Sequence, residues 1–451
     1  MTAEGGVVRR AEALEGHRVT TIGEPRPPWP ANAEFTSEGL YIAGVPAQVL
    51  AAEYETPLFV VDADDFRQRC RRFREAFPHA LYAVKAFPTR GLIRIADEEG
   101  LGFLAASGGE LNACLRAGVD ARKIALHGNN KSDDEILAAL EAGVGWVICD
   151  ALWDITRVGA AASARGRSQA ILLRVNPDVQ ADTHHFIRTG HAGSKFGTSI
   201  RSGAALRAVA VATRTAGIDF RGLQAHIGSQ IFNTIHFLQE VDALVGFAAQ
   251  VKNELNLEIK ELDVGGGFAA TYAGESPPMF GDYAKAILRQ VKARVEERGL
   301  QSLEVIAESG RALAANSVLT LYRVGSMKPL PGGTICAAVD GGMSDNLRPM
   351  LYGAKYTVAL GWPSKGGSMA SFTVVGKHCE SADVLATDVR LPATLSSGDL
   401  VAFAATGAYG YAMASNYNKI GRPAVVAVKD GLSELWVRRE TDEDLDRLEV
   451  G

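Results

Sequence analysis

Lys85 is the residue whose type and setting most directly suggest chemistry. It closes the apolar run LYAVKA, residues 81–86. An ammonium is costly to bury. Burial would also lower its pKa and give a nucleophilic amine suited to imine formation. A lysine that snorkels at a rim, or pairs with a carboxylate, fits the same pattern. Two glycine-bearing turns end later apolar runs: Gly265, Gly266 and Gly267 in KELDVGGG, and Ser309 and Gly310 in LEVIAESG. Glycines let backbone N–H groups approach an anion closely, and barrels favour phosphate sites in their late loops. Tight strand-to-helix turns use glycine too, so each signal alone is weak. With Lys85 on the same rim they point to a phosphate-bearing cofactor. Glu308 could hold a pyridine nitrogen protonated, or pair with Arg311. His226, ending GLQAHIG, could lie against a ring or be a hydrogen-bonded core histidine.

A second group lies nearer the C-terminus. Arg348 and Tyr352 fall in DNLRPMLYGAKY, Cys379 and Glu380 in GKHCES, and Tyr409 in GAYGYAMASNYN. Arginine fits a carboxylate bidentately, and we read Arg348 as functional on that ground. A thiol can donate a proton. A small core residue and a packing aromatic are the plainer readings of Cys379 and Tyr409.

The elements that must position these groups alternate in texture. Apolar runs occur at 58–62, 81–86, 102–106, 123–128, 146–150, 171–176, 222–228, 260–266 and 303–309, separated by helix-like stretches. Residues 64–77 place Phe66, Cys70, Phe73 and Phe77 on one helical face. Residues 132–143 carry Ser132 as N-cap, Glu135 three residues on, and Gly143 as a stop. Continuous apolar strands between helices mean a parallel sheet covered on both faces. Nine runs are one more than an eight-stranded barrel needs, so the first, LFVVD, is read as a lead-in strand. A doubly wound open sheet is the rival, but no G-x-G-x-x-G follows the first strand. Beyond about residue 315 the runs are strand-like, with Gly and Pro turns between them. The expected fold is a TIM-like α/β barrel over 57–315 plus a mostly antiparallel β domain from 34–56 and 316–451. EGLYIAGV is expected to complete that β sheet. Residues 1–33, with PRPPWP, read as a flexible arm.

The bulk numbers exclude several classes. The chain has 451 residues, is 47% hydrophobic and 22% charged, and carries a net charge of −5. It has no long basic run, so a nucleic-acid partner is not expected. No apolar leader or membrane-length segment is visible, so a cytoplasmic protein is expected. Five widely spaced cysteines without a C-x-x-C pair suggest a reducing compartment and neither disulfides nor a metal site.

In this order the segments closely resemble the diaminopimelate decarboxylase family. Its members are pyridoxal-phosphate enzymes built from an alanine-racemase-like barrel and a β domain. The carrying segments are YAVKA, LHGNNKSDDEI, HHFIRTGHAGSKFG, AHIGSQI, LDVGGGF, ESGRALAANS, DNLRPMLYGA, GKHCESADVLA and GAYGYAMASNYN. The resemblance implies decarboxylation of meso-2,6-diaminopimelate to L-lysine, the last step of lysine biosynthesis. It implies pyridoxal 5'-phosphate held covalently by Lys85, with His226 stacked on its ring. Ser229, Gly265, Gly266, Gly267, the Glu308–Arg311 loop and Tyr409 would hold the phosphate and ring nitrogen. Arg311, Arg348, Tyr352 and Glu380 would bind the substrate's far end, aided by Tyr409, and Cys379 would donate a proton. Cys379 and Glu380 would serve the partner's site in a homodimer. One departure is Ser309, where the family usually has proline; serine frees φ but keeps an N–H. The alternative is a decarboxylase for another amino acid, or a carrier-linked one, in specialised metabolism. The intact Arg348, Tyr352 and CESAD set argues against it.

Overall fold

In the computed structural model, residues 8–10, 27–179 and 194–451 are described. Eight strands run parallel: His79–Ala83, Gly102–Ala105, Ile124–Leu126, Trp146–Cys149, Gln169–Asn176, Ile218–Gln224, Glu261–Asp263 and Glu304–Ser309. The eighth pairs back onto the first, with Ser309 opposite Tyr82, and this closes the barrel. Leu81, Ala83, Leu104, Ala125, Ile148, Leu172 and Ile306 fill its interior. They come from several strands, as in a packed barrel core rather than a pore. At the N-terminal end, Glu261 accepts from Trp146 Nε1 at 2.7 Å and Arg221 Nε at 3.0 Å.

The intervening helices follow the sequence signals. Asp133–Ala142 has Ser132 as N-cap in a full capping box, and it stops at left-handed Gly143. In Ala63–Ala76 the predicted face is buried, and Phe73 packs on Phe268 with ring centroids 5.6 Å apart. Among the described residues no helix is long and apolar enough to cross a membrane.

Residues 69–269 and 277–311 form one compact unit. Residues 270–276 and 312–451, with the chain up to Gln68, form the other. The second unit is built on a ten-stranded sheet centred on Val318–Pro329. Most of its pairs are antiparallel. Leu58–Asp62 with Ala424–Lys429, and Ile335–Val339 with Met369–Val375, are parallel.

Three expectations are corrected. Leu58–Asp62, read as a lead-in strand of the barrel, is hydrogen-bonded into this second sheet between Val318–Pro329 and Ala424–Lys429. All five of its residues are buried, and a fully buried apolar run looks the same in either sheet. EGLYIAGV does not join that sheet. Ala33–Phe35, Leu40–Ile42 and Val45–Pro46 form a three-stranded sheet of their own, which packs on the same core as Val60 and Val426. Residues 27–33 are not loose. Trp29 is buried in that core, Pro28 O accepts from Asn316 Nδ2 at 3.0 Å, and Asn32 donates to Asp62. Val8–Arg10 pairs antiparallel with Leu432–Val437. Residues 1–7 and 11–26 of the expected arm lie outside the described residues.

Candidate active site

Lys85 sits one turn past its strand, in the 3-10 turn Val84–Ala86, and its side chain is exposed between two buried neighbours. The turn is pinned by Tyr82, whose hydroxyl donates to Phe87 O at 3.0 Å. Burial is therefore not what marks Lys85. The buried lysine is Lys131 of HGNNKS, and it is structural. Its ammonium donates to Gly128 O, Ile148 O and the Asp154 carboxylate at 2.6, 2.8 and 3.0 Å. Those bonds use all three donors of an ammonium.

The two glycine turns meet this rim. A Cβ on Gly310 would lie 2.9 Å from Ala86 Cβ and 3.0 Å from Ala83 O. The Ser309–Gly310 turn thus packs directly against the turn bearing Lys85. Gly265, at φ +62°, has no room for a Cβ, which would stand 2.2 Å from Ala225 O. That close approach lets Gly266 N–H donate to His226 Nδ1 at 3.0 Å, while Glu308 N–H donates to Gly265 O at 2.8 Å. The Gly-Gly-Gly turn is wedged between the strand ends that carry His226 and Glu308.

The charges here are set by burial. Burial, then the nearby positive charges of Lys85 and Arg174, hold the His226 ring well below the usual imidazole range. Neutral, and accepting at Nδ1, it carries its proton on Nε2. Burial pushes both Glu308 and Asp263 up, Asp263 well above the carboxylate range. The charge of Lys85 pulls Glu308 back, as does Gln224 Nε2, which donates to it at 3.1 Å. Of the pair, Asp263 is pushed up further than Glu308. Arg311 Nε donates to Ser229 Oγ at 2.9 Å, which brings two predicted phosphate-loop residues together. Ser309, in place of the family proline, is buried, and its hydroxyl meets no partner among the described residues.

The second unit holds the other predicted residues. Arg348 opens the short helix Arg348–Tyr352, is 6% exposed, and donates from Nη1 to Tyr272 and Tyr356 at 3.0 and 2.7 Å. Tyr352 closes the same helix. Cys379 and Glu380 lie exposed on a loop. Cys379 N–H donates to Asn418 Oδ1 at 3.1 Å. Asp383 ties the loop down by accepting from Met343 N–H at 2.7 Å and His378 N–H at 3.0 Å, and it lies 2.9 Å from His378 Nδ1. Tyr409 is half-buried at φ +61°, a left-handed conformation rare for an aromatic residue. Part of the TGH…SKFG stretch, residues 184–193, lies outside the described residues.

Several side chains that contact the candidate residues were not singled out from the sequence. Asp263 and Gln224 are polar residues inside apolar strands, a signal the sequence did offer. Tyr272, Tyr356 and His378 carry none, because loops fix their placement.

A family model described as the pyridoxal binding domain of pyridoxal-dependent decarboxylases matches residues 63–315. The chain is 41% identical over 431 residues to the diaminopimelate decarboxylase of Corynebacterium efficiens, covering 94% of each chain. The chain belongs to the diaminopimelate decarboxylase family. It is 42% identical over 435 residues to the Mycobacterium tuberculosis member, covering 94% of this chain and 97% of that one. A solved diaminopimelate decarboxylase of M. jannaschii, in complex with L-lysine, matches with a TM-score of 0.87 at 29% identity. The match covers 93% of this chain and 98% of the other.

Proposed function

We propose that the protein decarboxylates meso-2,6-diaminopimelate to L-lysine and carbon dioxide, the closing step of lysine biosynthesis. The observation that carries this reading is the barrel rim itself. An exposed primary amine, a glycine cradle and a buried carboxylate are assembled there in a chain that spans its relatives almost end to end. These residues fit pyridoxal 5'-phosphate. Lys85 supplies the amine that would hold it, and the Gly265–Gly267 turn leaves the close backbone approach that a phosphate needs. Glu308, raised by burial but pulled back by Lys85 and Gln224, suits a pyridinium nitrogen. When bound, the cofactor supplies an electron sink for the pair released as carbon dioxide departs.

The chain's own groups do the rest. His226, neutral with its proton on Nε2, presents a flat uncharged face. Ser229, Arg311, Gly310 and Tyr409 would grip the phosphate and the substrate end next to it. Arg348, Tyr352 and Glu380 would hold the far amino-acid end, which orients the scissile bond. Cys379, or a water beside it, would return a proton to the carbon that loses carbon dioxide. Exposure supports this role for Cys379, since the other four cysteines are buried. We further propose a homodimer in the cytoplasm, with Cys379 and Glu380 serving the partner subunit's site. The test is to incubate the purified protein with pyridoxal phosphate and each of meso-diaminopimelate, ornithine, arginine and glutamate. Lysine release from the first alone is expected. Turnover of another substrate in its place would refute the assignment.

A further inference from the structure

Among the described residues, no carboxylate pairs with Arg348. Its guanidinium is 6% exposed, and among the described residues its hydrogen bonds go only to two neutral phenols. Burying an ion without a partner costs several kcal/mol, so the fold maintains this cation for an anion that comes from outside the chain. The arrangement of donors says how that anion docks. Nη1 has two protons, and the hydroxyls of Tyr272 and Tyr356 accept both. Nε is buried and meets no hydrogen-bond partner among the described residues. The donors left over are Nε and Nη2, whose N–H bonds run parallel and match the two oxygens of a carboxylate.

The two rings also fix the plane. The guanidinium carbon lies 5.1 Å from the Tyr272 ring centroid and 5.7 Å from that of Tyr356. The rings stand edge to face, 82° apart with centroids at 5.8 Å. A cation between two perpendicular ring systems has little freedom to turn.

We propose that Tyr272 and Tyr356 are positioning residues for substrate selection, which orient Arg348 so that its Nε–Nη2 edge takes the carboxylate at the non-reacting end. This rests on the reading above that Arg348 binds that end. Tyr272 lies just beyond the Gly265–Gly267 turn in sequence. One loop therefore carries both the glycine cradle and half of the selectivity clamp.

The test compares two ligands of the loaded enzyme. L-lysine keeps the non-reacting end with its carboxylate, whereas cadaverine is the same diamine without it. Titration calorimetry on wild type, Tyr272→Phe, Tyr356→Phe and the double variant gives the affinity ratio of lysine to cadaverine. Kinetics with meso-diaminopimelate gives KM and kcat. We expect the ratio to fall about tenfold for each lost hydroxyl, the order of one hydrogen bond to a charged group. KM should rise in step, kcat should stay within about threefold, and the visible absorbance of the cofactor should not change. An unchanged ratio, or equal weakening of both ligands as a merely structural role would give, overturns the proposal. The single variants, each keeping one phenol, carry the test if the double variant does not fold. Failure of the wild type to release lysine would instead refute the functional reading and leave the clamp's ligand as the error.

Discussion

Glu308 in the barrel unit and Arg348 in the sheet unit are both buried titratable groups, but they are held in opposite ways. Glu308 sits among other titrating groups: Asp263 lies beside it, the charge of Lys85 lowers its pKa against burial, and Gln224 donates to it. Its state can follow whatever occupies the rim. Arg348 is surrounded by phenols that do not share its charge at neutral pH, so its state is fixed and only its direction is set. The barrel rim is thus suited to hold a group whose electrons move, and the sheet unit to hold a substrate end that does not react. Substitutions in the two regions should fail differently.

The largest effect is expected in the barrel. Lys85→Ala should abolish both turnover and the visible absorbance of the cofactor-loaded protein, and an unaltered spectrum would contradict the role of Lys85. Cys379→Ala, in the sheet unit, should leave that absorbance intact while kcat drops about 10²–10⁴-fold, the range for a lost general acid. Mixing the two inactive variants sharpens the contrast further. If Cys379 serves the partner's site, an equal mixture after random subunit exchange should recover about a quarter of wild-type activity, all of it in the heterodimers. No recovery after subunit exchange would place both residues in one chain's site.

A smaller effect separates the regions by pH. Burial pushes Asp345 up to about 7 from an ordinary 3.8, against hydrogen bonds from Tyr322 and Gly342 N–H. Because its folded pKa is raised, its contribution to stability is full below pH 3.8 and is lost as pH rises through about 7. Relative to Asp345→Asn, which cannot ionise, wild type should lose a few kcal/mol of stability across that window. Chemical denaturation at several pH values measures this, and parallel profiles would show that Asp345 does not titrate there. The smallest expected effect is that of Ser132→Ala. It removes a helix cap that contacts neither charge, and should cost about 1 kcal/mol of stability without changing KM. A kinetic change would mean that the barrel helices reach the site.

Much of the barrel was legible because its signals are local. Strand runs, the Ser132 cap and the glycine turns each depend on a few neighbouring residues. Leu58–Asp62 was misplaced because a buried strand carries no mark of which sheet it joins. Lys85 was singled out on an argument the structure corrects: Lys131 is buried, whereas Lys85 is exposed on a turn whose neighbours Ala83 and Ala86 pack against Gly310. The ordered motif set is what singled out Arg348, Cys379 and Glu380. It could not find Tyr272 or Tyr356, because their hydrogen bonds to Arg348 span 76 and 8 residues and are made by loop geometry alone.

The central claim is that this chain decarboxylates meso-2,6-diaminopimelate to L-lysine. Product analysis by chiral chromatography, with pyridoxal phosphate added to the purified protein, tests it most directly. The account predicts one L-lysine formed for each substrate molecule consumed, with one carbon dioxide released. Consumption without lysine, or a racemised substrate with both carboxylates intact, would contradict it.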